Sequence, residues 1–365
     1  MSLPVDSNAA LAAQQNYKDQ ASRESSPAEE DVILATAGYD HCIKFWTAHT
    51  GKCLATLQHP DSQVNDMEIS PDGQLLAACG YQHIRMFDVN NAKPNPVVNF
   101  EGVNKNVMSV GFQEEGRWMY TGGEDEKVRL WDLRMRNLQC QRTFHAGAIV
   151  NSVRLHPNQQ ELLVGDANGQ VHVWNLSSEW HQSILPEKDS SIQCVDIGNC
   201  KFFFEISHCT KMEIFSDPSG TIIAAITNKG TCYTSSFNST GQEDWTLLNL
   251  FKNNTNIKKT VAHKKYGLKC KFSPDSKLLV TTSADHTAKL WDVGSHDYVS
   301  ELTVEGQRWV WDVAFSADSQ YMFTASSDGV AKLWSIPDAE VKRTYKENGH
   351  TKAVTCLAFR DGQVG

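Results

Sequence analysis

Apolar and polar positions alternate with a period of two along most of this chain, in short runs separated by Gly, Asp, Asn and Ser. That is the pattern of half-buried β-strands joined by tight turns. One run recurs with the same shape, an alternating segment closed by an aromatic: CIKFW (ending at Trp46), HIRMF (Phe87), KVRLW (Trp131), QVHVW (Trp174), TAKLW (Trp291) and VAKLW (Trp334). A weaker copy, TCYTS, ends at Ser235, and the seven end positions are spaced by 41, 44, 43, 61, 56 and 43 residues. Each repeat reads as an apolar strand, a Ser-Pro-Asp-like turn, a second strand, an Asp-containing turn and the strand that ends in the aromatic. A single four-stranded sheet of this kind cannot bury both faces, so copies must stack, and seven stacked radially close a ring around a channel.

The repeats resemble WD repeats, with Trp-Asp itself at Trp131-Asp132 and Trp291-Asp292. The expected fold is therefore all-β, a seven-bladed WD-repeat β-propeller over residues 32–365, closed by the C-terminal strand. The pattern starts near Val32 with the second strand of a blade, and Ala353–Phe359 (AVTCLAF) reads as a first strand with no blade after it. These two fragments are predicted to complete one blade together.

Six residues ahead of the aromatic an Asp recurs, at Asp40, Asp125, Asp285 and Asp328, with Asn168 in another copy. A His precedes some first strands, as at His263 and His350. These are expected to be hydrogen-bonding groups inside blades. The resemblance to WD repeats implies a buried tetrad of His263, Ser283, Asp285 and Trp291, in which Asp orients His and the hydroxyl and indole N–H complete the chain. A Ser-His-Asp set also fits a nucleophilic triad, and the structural role is preferred.

Two segments leave the pattern. Residues 1–31 are rich in Ala, Gln, Ser, Asp and Glu, lack sustained heptads, and are expected to stay disordered. Residues 198–215 (GNCKFFFEISHCTKMEIF) fall between a first strand and its turn, and removing these eighteen residues restores the 43-residue spacing, so they read as an insertion. Cys200, His208 and Cys209 within it offer too few ligands, two of them adjacent, for a metal site. No metal and no cofactor is expected.

Composition narrows the function. The chain has 365 residues, a formal net charge of -9 and 40% hydrophobic residues, enough for a large core and opposed to nucleic-acid binding. No apolar run is long enough to span a membrane and the N-terminus has no signal-peptide pattern, so a cytoplasmic chain, monomeric on its own, is expected. The ten cysteines are scattered without a CxxC pair and are expected to be free thiols. No nucleophile elbow, phosphate-binding glycine loop or paired-carboxylate motif appears, which argues against an enzyme.

More specific stretches, among them ILATAGYDHCIKFW, AACGYQHIRMFD, GVNKNV, GRWMYTGGEDEKVRLWDLR, LHPNQQELLVGD and SADHTAKLW, resemble the G-protein-β-subunit-like family, small WD-repeat subunits of the target-of-rapamycin kinase complexes. The resemblance runs from about Val32 to Gly365, out of register only at the insertion, with Ser235 departing from the expected aromatic. It implies a non-catalytic subunit that docks on the catalytic lobe of the kinase and belongs to both the nutrient-sensing and the survival- and cytoskeleton-directed complexes. A second reading is a substrate receptor of a cullin-type ubiquitin ligase, since Trp131-Asp132-Leu133-Arg134 matches a WDxR box.

In a propeller, the loops that enter first strands share a rim with the turns between second and third strands. The stretch RWVWDVAF places Trp309 and Trp311 where sister repeats carry Gln63 and Asn65, Asn106 and Met108, or Ile149 and Asn151. Side chains two apart share a strand face, so the tryptophans are expected to extend the line of the core pair Val313 and Phe315 outward, as interface anchors or as a plug of the channel mouth. Tyr39, Gln63, Asn65, Tyr81, Gln82, Asn104, Asn106, Glu124 and Tyr266 are expected on the same partner-binding face.

Overall fold

The computed structural model describes residues 32–91, 93–134, 139–178, 180–199, 221–236 and 257–361. They form seven four-stranded antiparallel sheets. Blade 1 combines the C-terminal strand Val354–Arg360 with Ile33–Gly38, Cys42–Thr47 and Cys53–Gln58. Blades 2 to 7 open with the inner strands Val64–Ile69, Val107–Phe112, Val150–Leu155, Ile192–Asn199, Gly267–Phe272 and Val310–Phe315. Within each blade the strands are called a to d from the inside. The a strands of successive blades touch one another all the way round, so the ring is closed.

Closure is a β-pairing between the two ends of the fold: Arg360 pairs with Ile33, Leu357 with Thr36 and Val354 with Gly38. The expected division of blade 1 between the chain's two ends is therefore present. Blade 7 adds a side-chain tie, since Tyr345 donates its hydroxyl to the carbonyl of Ala48 at 2.6 Å and its ring meets Trp46 edge-on.

The core lies between blades, because each strand alternates and both sheet faces must be covered. Trp334 of blade 7, for example, packs with Val280 and Leu290 of blade 6 beside Val310, Val313 and Phe315. Trp131 of blade 3 packs among Ala77, Ile84 and Phe100 of blade 2. A buried indole needs a partner for its N–H. Trp46, Trp131, Trp291 and Trp334 donate to Thr36, Thr121, Thr281 and Thr324 at 2.8, 2.9, 2.9 and 2.9 Å. Where the donor is missing the hydroxyl is missing too: from the strand register, Phe87 has Ala78 in that place and Ser235 has Ala225. TCYTS is thus a complete strand, Thr231–Ser236, that carries neither the indole nor the facing hydroxyl.

The a–b turns carry the Ser-Pro-Asp signal as predicted. Ser70 donates to Asp72 at 2.5 Å and Ser273 to Asp275 at 2.6 Å, the side-chain closure that favours Ser and Asp in turns.

The boundary of the insertion differs from the expected one. Gly198 and Asn199 continue the a strand of blade 5, paired with Ile222 and Thr221. Residues 200–215, with Cys200, His208 and Cys209, lie outside the described residues, as do residues 1–31. Among the described residues, no helix is long and apolar enough to cross a membrane.

Candidate partner-binding face

One rim is built by a repeated hydrogen bond. A b–c turn donates its backbone N–H to the carbonyl of the residue just ahead of its own blade's a strand. Tyr39 reaches Ala353 (3.1 Å), Glu124 reaches Asn106 (2.8 Å), Ala284 reaches Tyr266 (2.9 Å) and Ser327 reaches Trp309 (2.9 Å). All eleven predicted face residues lie on these turns, on the loops ahead of a strands or at the second position of an a strand. The face is therefore one ring of loops, with the Ser-Asp turns on the opposite side.

The two tryptophans are on this rim, but not for the expected reason. Val310 pairs with Ser326 and Asp312 with Ala325, so Trp311 is the extra residue of a β-bulge. The bulge breaks the alternation: Val310, not Trp311, joins Val313 and Phe315 in the core. The same shift recurs at Asn65, Met108, Asn151, Gln193 and Leu268. At Trp311 the re-aimed side chain is half-buried and donates its indole N–H to Ser327 at 2.7 Å. Its ring meets Tyr39 of blade 1 edge-on at 6.2 Å and lies 5.5 Å from the ring of Trp309. Trp309 and Tyr39 are 39% and 42% exposed, so an aromatic arc faces outward across blades 7 and 1. Tyr266 and Trp309 line one cleft, extending the arc over blade 6.

The polar members on blades 2 and 3 behave differently. Asn65 donates its amide to Asn106 Oδ1 at 2.7 Å and to the carbonyl of Val107 at 2.8 Å, and Asn106 donates to Glu124 at 3.2 Å. Gln82 donates to the carbonyl of Asn104 at 3.0 Å. These side chains stitch blade 2 to blade 3, and Tyr81, 48% exposed, forms a β-bridge with Asn106 beside them.

Beneath the face run the buried ties. In blade 6, His263 Nδ1 donates to Asp285 at 2.9 Å, its Nε2 meets Thr281 Oγ1 at 2.9 Å, and Trp291 donates to the same hydroxyl. The hydroxyl is thus Thr281 and not the expected Ser283. Trp291 pairs with Leu279, so its N–H falls one pleat along at Thr281; Ser283 lies a further pleat away and bonds the carbonyl of Tyr266. Although burial pushes the Asp285 carboxyl upward, hydrogen bonds from His263 and Thr287 hold it well below the usual carboxylate range.

Blade 1 repeats this chain across the closure, with His350 held by Asp40 at 2.9 Å and bonded to Thr36 at 2.7 Å. Blades 3 and 7 use cations of their own c strands instead, Asp125 with Arg129 and Asp328 with Lys332. In blade 4 the buried carboxylate is Asp166, paired with His172 at 2.9 Å, rather than the exposed Asn168.

Blade 2 has the histidine alone. His59 is fully buried, yet its Nε2 has no hydrogen-bond partner; Ala78 and Phe87 occupy the places of Thr and Trp. The b–c turn is one residue shorter and brings no carboxylate, since Cys79 pairs with Ile84 where blade 1 pairs Ala37 with Ile43. Burial, helped by the Arg85 charge, lowers the His59 pKa to about 4.

The channel holds a mixed set of charges around a cavity of about 470 Å³. Lys269 lies 3.4 Å from both Asp66 and Asp312, spanning three blades. Burial opposes its charge, but these two carboxylates hold its pKa above the ordinary range. The carboxylates are themselves engaged, Asp66 by the Val110 N–H at 3.1 Å and Asp312 by the Leu357 N–H at 2.8 Å. Among the described residues, no group of three His, Cys, Asp or Glu is placed to hold a metal. The Arg134 guanidinium closes on its own Asp132 at 2.6 and 2.9 Å, an exposed pair within one turn.

Comparison with known proteins follows the same lines. The family described as "WD domain, G-beta repeat" matches residues 51–88, 94–132, 138–175, 255–292 and 299–335. The chain is 49% identical to the target of rapamycin complex subunit LST8 of Mus musculus, covering 92% of this chain and 97% of the relative. It is 48% identical to the LST8 homolog of Drosophila melanogaster (92% and 99% covered) and 40% identical to the LST8 subunit of Saccharomyces cerevisiae (90% and 99% covered). With a closed seven-blade ring, the repeat signature and nearly full-length likeness to these relatives, the chain belongs to the LST8 family of WD-repeat propellers.

Proposed function

We propose that this protein is a non-catalytic subunit of target-of-rapamycin complexes, in both complex 1 and complex 2, holding the kinase subunit through the rim that carries Tyr39, Trp309 and Trp311. Its relatives in mouse and yeast bear the name of that complex. The observation that carries the docking face is the outward aromatic arc: Trp311 is lifted out of the core by a bulge and flanked by the exposed Tyr39 and Trp309. Trp and Tyr anchors ringed by polar groups are the usual composition of a binding hot spot, and a stable seat buries about 1,600 Å² in total. By binding the ordered form of the kinase domain, the propeller stabilises it through mass action. The cytoplasm is the compartment this role requires.

The test is co-purification of the kinase subunit with Trp311→Ala combined with Gln63→Glu. Binding is expected to be lost with the melting temperature nearly unchanged. Retained binding would place the seat elsewhere, and a collapsed melting temperature would make the indole a structural plug.

A further inference from the structure

Beside the aromatic arc, over blades 5 to 7, lies an open cleft of about 510 Å³ lined by Asn228, Lys229, Lys264, Lys265, Tyr266, Ala284 and Trp309. Three lysines in one cleft stand out on a chain whose formal net charge is -9. All three are exposed and, among the described residues, in no ion pair, with the Lys229 ammonium donating to the Lys188 carbonyl at 3.1 Å. The nearby carboxylates are already engaged: Asp285 by His263 and Thr287, and Glu187 by Lys259.

The lysines are held together by backbone, not scattered by chance along loops. Gly230, at φ +79°, accepts the N–H groups of Ala262 and His263 through its carbonyl. A Cβ on Gly230 would come within 2.4 Å of the Lys265 carbonyl oxygen and 2.5 Å of that of His263. Only glycine lets the 263–266 loop press onto the 228–230 turn, which brings Lys229 beside Lys264 and Lys265. Tyr266, 57% exposed, and Trp309 supply the apolar wall.

We propose that this cleft receives an acidic segment of the docked kinase subunit, with carboxylates over the three lysines and an apolar side chain between Tyr266 and Trp309. The proposal rests on the docking reading above and assigns the chemistry of one part of the partner. Like charges outside any ion pair, beside exposed aromatics, complement a segment of opposite sign, and such complementarity chiefly sets encounter rate and register.

The experiment compares wild type, Lys264→Glu with Lys265→Glu, and Trp311→Ala for retention of the kinase subunit at about 50 mM and about 300 mM salt, between which the Debye length shrinks about 2.4-fold. Anisotropy with a fluorescein-labelled alternating Glu-Leu peptide, against its Lys-Leu counterpart, reads the cleft directly. The charge-reversed protein is expected to lose about tenfold in retention at low salt, to lose the salt dependence, and to stop binding the Glu-Leu peptide, with an unchanged melting temperature. Undiminished retention at low salt, or equal binding of the two peptides by wild type, overturns the proposal. If Trp311→Ala abolishes retention while the lysine variant does not, this proposal alone fails. If neither variant matters, the docking face fails with it.

Discussion

Blades 6 and 2 start from the same plan and end with different ties. In blade 6 the loop histidine, the turn carboxylate, a strand threonine and an indole form one buried chain, His263–Asp285 and His263–Thr281–Trp291. In blade 2, His59 keeps the position but has lost every partner of that chain. Its shortened turn leans sideways instead: Gln82 N–H reaches the carbonyl of Lys105 at 3.2 Å, and Tyr81 bridges to Asn106 of blade 3. The radial tie within a blade has been replaced by a lateral tie between blades, and the result is a continuous surface of Tyr81, Asn65, Asn106 and Glu124. Interior polar chains are thus dispensable in single blades where neighbours supply rigidity, and such departures from local rules concentrate at functional surfaces.

Blade 1 sets the upper limit of this comparison, since its tie joins residues 310 apart in sequence. Deleting residues 352–365 removes the strand that closes the ring and is expected to abolish the fold. A soluble, monodisperse truncation with intact β-sheet circular dichroism would contradict that. In blade 6, Thr281→Val leaves both the imidazole and the indole N–H without their shared partner. A loss of about 2–4 kcal/mol, read by urea unfolding, is expected. The same substitution has no counterpart in blade 2, where Ala78 already stands.

The two blades also differ in acid behaviour, through Asp285 in blade 6 and His59 in blade 2. Asp285 has a depressed folded pKa, so its contribution is present above the unfolded value near 4 and is lost as pH falls below it. His59, with a folded pKa lowered to about 4 from 6.5, stabilises the neutral protein above pH 6.5 and loses that contribution progressively on the way down to pH 4. Stability between pH 7 and pH 5 should therefore fall by about 1–2 kcal/mol on account of His59. His59→Phe should flatten that slope in a pH series of unfolding curves, and an unaltered slope would show that His59 is not its source. The smallest effect is the reverse engineering of blade 2. Ala78→Thr with Phe87→Trp supplies the missing hydroxyl and indole, and is expected to add no more than about 1 kcal/mol without altering kinase retention.

The ring was legible because its signal is repeated. Seven alternating third strands fixed the blade number, and the unmatched strands at Val32 and Ala353 fixed the closure. The alignment of a strands also held residue for residue, from Val64 to Val354. Alternation failed at Trp311 because a bulge leaves no mark in a run that is apolar on both sides, so Val310 took the core place that periodicity gave to Trp311. Residue type alone admits Ser283 as the hydroxyl of the tetrad, whereas the strand register places Thr281 at the indole. A spacing of ten between Thr and Trp, present at Thr36 and Trp46, Thr121 and Trp131, Thr281 and Trp291, and Thr324 and Trp334, would have identified the right one. The amide stitch of Asn65 and Asn106 joins residues from two blades, a contact that no single-strand pattern encodes.

Hydrogen exchange of the propeller, free and with the kinase subunit bound, tests the central claim most directly because it reads both rims at once. Slower exchange is expected in peptides holding Tyr39, Tyr81–Gln82, Tyr266 and Trp309–Trp311, with the Ser-Asp turns at 70–74 and 273–277 unchanged. Protection confined to those turns, with the aromatic rim unaffected, would contradict it.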